Sequence, residues 1–272
     1  MKLTLKNIGK IGTASVEING ITVIAGENNT GKSTVGRALF AVFNSFCNVQ
    51  KQIENERVDS VENLLDRMYM NASARFARIA NTADVARTIV AHIDEYRQIE
   101  LPDMQKSIID LLSQYDDGKI ESFDENMVAD TVFRIKDVLN VSDVDFLKSV
   151  LERKLDAEFN EQVCNIFSED DGEIQLQIKD AVITVSVENE GAVDIQNPGN
   201  ISLHTEVIYI DDPFVLDDLR MFYRRMPGAS SDHRYHLRTK LFWPDSEANV
   251  FDEIIAKDKL NSIYEKISSV CS

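Results

Sequence analysis

The sequence predicts a mixed α/β chain in which one β-sheet is interrupted by a large helical insertion. Three observations carry this. Short β-type runs fill the first 25 positions, apolar residues then recur at helical spacing across residues 57–167, and strict alternation of apolar and polar residues returns at 174–187, followed by an apolar run at 206–210. At 272 residues and 43% hydrophobic content, the chain can bury a substantial core as one large domain or two small ones.

The elements are expected in this order. Residues 3–6 form a first strand, and residues 14–18 and 21–25 form a hairpin, because Asn19-Gly20 between them is a tight-turn pair. The second strand of that hairpin feeds a glycine-rich loop. From Ser33 onward the pattern turns helical, with Val35, Leu39, Val42, Phe43 and Phe46 spaced for one buried face. Helices follow at 61–80, 83–97, 104–115, 125–139 and 144–167, with Pro102 suited to a helix start and Ser142 with Asp145 suited to a cap. Their apolar stripes are interrupted by charges, as in a helical bundle or arm used as a scaffold. After the acidic turn Ser168-Glu169-Asp170-Asp171-Gly172, two strands contain Ile174, Leu176, Ile178 and Ile183, Val185, Val187, joined by a turn at Lys179-Asp180. A further strand at 206–210 ends at Asp211-Asp212-Pro213, and residues 249–270 read as a helix.

Charge narrows the function classes. The 29 basic against 46 acidic side chains give a formal net charge of −17, which repels a polyanion at long range and excludes an all-over nucleic-acid surface. The exception is residues 220–240, where Arg220, Arg224, Arg225, Arg234, Arg238 and Lys240 face one acid, Asp232, with Phe222, Tyr223 and Tyr235 between them. This stretch can contact phosphates or stack on unpaired bases. It can equally be a solvated segment that pairs with the chain's own carboxylates. Cys47, Cys164 and Cys271 lie far apart without metal-ligand spacing, and His233 and His236 lack the further ligands of a zinc site. With no signal peptide and no membrane-length apolar run, a reducing cytoplasm is the expected location, with no membrane partner.

The most specific feature is Gly26-Glu27-Asn28-Asn29-Thr30-Gly31-Lys32-Ser33, a complete Gly-x-x-x-x-Gly-Lys-Ser match. A chain of this length contains one by chance on the order of one per cent of the time. In a loop that opens a helix, backbone N–H groups and the positive helix end converge on phosphate oxygens. Gly26 and Gly31 let the backbone curl, Lys32 neutralises the β and γ oxygens, and the Ser33 hydroxyl reaches magnesium; Thr34 follows in the first helical turn. The expected ligand is therefore ATP with Mg2+.

Together with Lys6-Asn7-Ile8-Gly9 and Ile21-Thr22-Val23-Ile24-Ala25, this loop resembles the N-terminal lobe of ABC-type P-loop ATPases of the RecF, SMC and OLD kind over about residues 1–46. The resemblance implies a P-loop NTPase lobe in four parts: residues 1–46 as its first part, 47–167 as a helical insertion, 168–219 as its second β region, and 220–272 as a basic loop and helical tail that begins a lid or a truncated second half. It also implies ATP sandwiched between this loop and the signature motif of a homo- or hetero-dimeric partner or a separate ATPase half. No Leu-Ser-Gly-Gly-like signature, Asp-Glu strand or switch histidine follows, so the isolated chain is expected to bind ATP and hydrolyse it weakly or not at all. The ending Ser268-Ser269-Val270-Cys271-Ser272 has no closing element, as in a chain cut short. Where relatives place an aromatic residue and an arginine, this chain has Ile8, Gly9 and Lys10.

Three readings stay open for the aspartate pair: Asp211 or Asp212 near magnesium at the end of a strand before the lid, a Walker B carboxylate pair with Asp211 on the metal and Asp212 catalytic, or a strand-ending turn. Two other functions fit the loop. One is a P-loop kinase with 220–240 as its lid, and the other is a non-catalytic nucleotide-responsive interaction module.

Overall fold

The computed structural model describes residues 1–72, 82–114, 123–196, 203–211 and 232–242. The expected helix at 249–270, Asp212, Arg220, Arg224 and Arg225 lie outside them. By contact density the chain divides into two units, Met1–Val207 and Ile208–Ser272.

The first unit is mixed α/β. It is built on a five-stranded, fully antiparallel sheet of β1 (Lys2–Ile8), β2 (Ile11–Glu17), β3 (Gly172–Ile178), β4 (Ala181–Val187) and β5 (Val193–Gln196), in the order β2-β1-β3-β4-β5. Alternation gives the sheet one wet and one dry face. Leu3 pairs with Leu176 and Leu5 with Ile174, and these pair in turn with Ile183 and Val185, so one buried row crosses the sheet. On the opposite face Lys6 and Glu173 stand across from each other and form a 2.7 Å ion pair. Asn7 takes φ 51, a conformation asparagine tolerates, and the alternation slips by one residue so that Ile8 points inward again.

Between β2 and β3 run α1 (Lys32–Ser45), α2 (Val49–Ala72), α3 (Thr82–Ala91), α4 (Ile93–Gln98), α5 (Leu101–Ser113), α6 (Glu125–Asn140) and α7 (Asp143–Phe159). Helices α1 and α7 cover the dry face of the sheet, where Val35, Ala38, Val42 and Phe46 meet Leu147, Leu151 and Leu155. The remaining helices bury a separate core around Leu65, Ile89, Ile108 and Ile135. Arg57 joins the two regions: its guanidinium donates to the Val141 carbonyl at 2.7 Å and to Asp143 at 2.8 Å and lies 4.8 Å from the Phe146 ring centroid.

The two central helices cap one another. Arg37 of α1 donates to the carbonyl of Glu158 at 3.0 Å, near the end of α7, while Lys154 of α7 donates to the carbonyl of Asn44 at 2.9 Å, near the end of α1. Each cation thus satisfies a carbonyl that helix geometry leaves orphaned and sits at the negative end of the other helix. Lys154 also reaches Gln52 Oε1 at 3.1 Å. At the same end of α1, the Asn44 side chain both donates to the Val207 carbonyl and accepts from its N–H, each at 2.7 Å, and Leu203 bridges in parallel to Cys47.

Several expected elements differ. The partner of residues 11–17 is β1, through a turn at Gly9 and Lys10, so no hairpin forms over 14–25. Residues 21–25 and 206–210 carry no strand; Val23 is 82% exposed and Ile210 56%. Strand propensity expresses how a side chain packs on a half-buried sheet, and neither segment has a sheet neighbour among the described residues. The helix expected to reach residue 167 ends at Phe159, because Asn160 and Glu161 adopt positive φ of 51 and 63. Its start is as expected, with the Ser142 hydroxyl accepting from the Asp145 N–H at 3.1 Å. The Lys179-Asp180 turn and Pro102 in the first turn of α5 are also as expected. No described helix is long and apolar enough to cross a membrane.

Burial brings Lys154 down to about 8, against upward pulls from Cys47, Glu56 and Glu206. The residue as a whole is only partly buried, but its ammonium is surrounded by protein. Between about 8 and the ordinary 10.5, the unfolded chain binds more protons than the folded one, so stability rises with pH across that window. Relative to Lys154→Met, the wild type is expected to gain about 2–3 kcal/mol from the lower to the upper end of it. Urea denaturation of both proteins at the two pH values measures this, and parallel pH dependences would show that the ammonium is not enclosed.

Candidate functional site

The Gly-x-x-x-x-Gly-Lys-Ser motif lies at the N-terminus of α1, beside the edge strand β2. Gly31 is the N-cap residue in the left-handed region, φ 88, and a Cβ there would stand 2.8 Å from Ile11 Cγ1. Both the torsion and the contact require glycine. Gly26 differs: a Cβ there meets only Thr30 Oγ1, at 3.4 Å, so the sequence expectation that both glycines serve the curl holds sterically for Gly31 alone. Asn29 also takes positive φ, 70.

Curling turns the loop's carbonyls toward its own lysine. Lys32 Nζ donates to the Gly26 carbonyl at 2.7 Å and to the Glu27 carbonyl, and Thr30 Oγ1 donates to the same Glu27 carbonyl at 2.9 Å. Glu27, Asn28, Asn29 and Thr30 are exposed, as is Ser33, while Lys32 and Thr34 are half-buried. No side chain caps α1; the Thr34 N–H turns back onto the Gly31 carbonyl at 3.1 Å, which leaves the N–H groups of Lys32 and Ser33 facing outward at the helix start, where an anion can meet them. An open groove of about 350 Å³ runs from Thr30, Gly31 and Lys32 along Ile11, Ala14 and Val16 of β2, with Lys10 and Ile24 on its walls.

The sequence marks Lys10 only as standing where relatives place an aromatic residue and an arginine, and assigns it no contact with the loop. Lys10 projects from the β1–β2 turn and donates to Asn29 Oδ1 of the loop. Spacing does not reveal the contact with Asn29, because it depends on the turn folding back over a loop some twenty residues downstream.

In the second unit, Asp211 faces a guanidinium and an imidazole. Arg234 of α8 (His233–Phe242) donates to Oδ2 at 2.6 Å and to Oδ1 at 3.3 Å, and His233 Nε2 lies 3.1 Å from Oδ1. The His233 ring stacks obliquely on Tyr209 at 4.6 Å. Partial burial pushes the Asp211 carboxyl upward, but hydrogen bonds and charge from Arg234 and His233 outweigh it and hold the group at about 2. Both oxygens of this candidate magnesium ligand are thus engaged by cationic or polar side chains. The carboxylate of Asp232 caps α8 through the Tyr235 N–H at 2.8 Å. Of the basic stretch, Arg234 is therefore committed to an internal ion pair.

Gly31→Ala is expected to destabilise the fold by about 2–4 kcal/mol, from the left-handed torsion and the Ile11 contact together. Gly26→Ala should stay within about 1 kcal/mol of the wild type. Chemical denaturation of the two variants tests this, and equal losses would refute the assignment of the steric requirement to Gly31.

Comparison with protein-family models, with curated proteins and with solved structures finds no match to this chain.

Proposed function

We propose that the chain binds a nucleoside triphosphate, ATP with magnesium, through the loop from Gly26 to Ser33. The observation that carries this reading is the loop's conformation. A left-handed Gly31 opens α1, and Lys32 lies folded back onto the carbonyls of Gly26 and Glu27. The arrangement brings a cation and the N–H groups of Lys32 and Ser33 to one helix start at the surface, which is what a phosphate chain requires. Ser33 stands exposed in the first turn, where its hydroxyl can reach a phosphate-bound magnesium.

The chain further acts as one face of an ABC-type ATP sandwich, in line with its resemblance to the RecF, SMC and OLD group. The opposite face, with the signature motif and the catalytic carboxylate, comes from a partner chain or a second ATPase half. Exposure of Ile21, Val23 and Ile24 beside the loop supports this, since a contiguous exposed apolar segment marks a surface that a partner covers. The isolated chain accordingly binds nucleotide without sustained turnover.

Titration of the purified chain with Mg-ATP tests the reading. Lys32→Ala is expected to weaken binding roughly 10- to 100-fold, the worth of a charge-assisted contact to phosphate. Unchanged affinity in that variant would sink the proposal, and brisk steady-state hydrolysis by the wild-type chain alone would sink its second part.

A further inference from the structure

Two lysines converge on the loop from different elements. Lys32 comes from α1 and Lys10 from the β1–β2 turn, and both line the same groove. In a chain with 46 acidic side chains, neither pairs with a carboxylate among the described residues. Lys32 is held by two backbone carbonyls and Lys10 by the amide oxygen of Asn29. Five of the nine ion pairs among the described residues are made by cations with more than a third of their side chain exposed, so exposure alone does not explain the lack of a carboxylate.

The contacts that hold the two ammoniums are replaceable. A neutral amide or carbonyl oxygen is a weaker acceptor for an ammonium than a phosphate oxygen, because the phosphate carries a negative charge whose Coulomb attraction adds to the hydrogen bond. Lys10 is also exposed at a turn, so turning its head from Asn29 toward the groove displaces no packed side chain. Asn29 itself sits in the left-handed region of the loop, which carries its side chain toward that turn.

We infer that Lys10 is a second phosphate-binding cation of this site, parked on Asn29 when the loop is empty and transferred to the oxygens of a polyphosphate when one binds. This rests on the reading of the loop as a phosphate site. In the bound state the phosphate chain would lie between a helix-borne and a turn-borne ammonium, and the ligand class is one with several linked phosphates rather than a single phosphate group. Neither lysine alone surrounds such a chain.

The test is calorimetric titration with Mg-ATP and with inorganic tripolyphosphate, comparing the wild type with Lys10→Met, Lys10→Arg and Lys32→Ala, and with melting temperatures recorded for each. Lys10→Met is expected to weaken both ligands about tenfold and to flatten the salt dependence of binding, while Lys10→Arg keeps affinity close to the wild type. Wild-type affinity in Lys10→Met overturns the inference while leaving the loop reading intact. So does a loss that Lys10→Arg fails to restore, since charge would then not be what matters. If the wild type itself binds neither ligand, the loop reading and this inference fall together.

Discussion

Helix α1 is fixed at both ends, and the arrangement of the first unit follows from that. At its N-terminus Gly31 is pressed against Ile11, too close for any side chain, which ties the loop to the sheet edge. At its C-terminus Lys154 and the Asn44 amide hold it to α7 and to Val207. Between these points its apolar face lies in the sheet's core. Because Arg37 caps α7 in return, the two helices form a cross-braced pair, each cation donating to a carbonyl that its partner helix leaves without an intrahelical donor; the Asn44 carbonyl also accepts from Gln52 Nε2 at 2.9 Å.

That brace also decides where the helical insertion attaches. Its bulk has its own core and touches the sheet layer through α7 and through Arg57 at the turn before it. This buried guanidinium spends one nitrogen on a carbonyl and a carboxylate, lies against an aromatic face and leaves its Nε without a partner among the described residues, so it fixes orientation more than it adds net stability. The insertion thus meets the loop-bearing helix along a defined, polar-braced seam.

Electrostatics separate the two candidate phosphate or metal groups. The loop lysines face neutral oxygens, so their charge remains directed at whatever enters the groove. Asp211 is in the reverse condition: its charge is matched by Arg234 and His233, and that matching holds the carboxyl at about 2. A cation approaching Asp211 would compete with a bidentate guanidinium, whereas an anion approaching Lys32 would exchange neutral partners for a charged one.

The sequence by itself determined the local chemistry. The Gly-x-x-x-x-Gly-Lys-Ser spacing placed the loop at the start of a helix, alternation identified β3 and β4 together with their Lys179-Asp180 turn, and Ser142 marked the start of α7, because each depends on residues within a few positions of one another. Pairing was not legible in the same way. The turn at Asn19-Gly20 has the chemistry of a hairpin, yet β2 pairs back onto β1, and the apolar runs at 21–25 and 206–210 stay out of the sheet. Strand formation requires a neighbour, and which neighbour is present is a property of the whole fold. The same holds for Lys10 on Asn29, for Arg234 on Asp211 and for the reciprocal caps of α1 and α7. These contacts join residues that no local pattern relates, and only the tertiary structure brings them within hydrogen-bond reach.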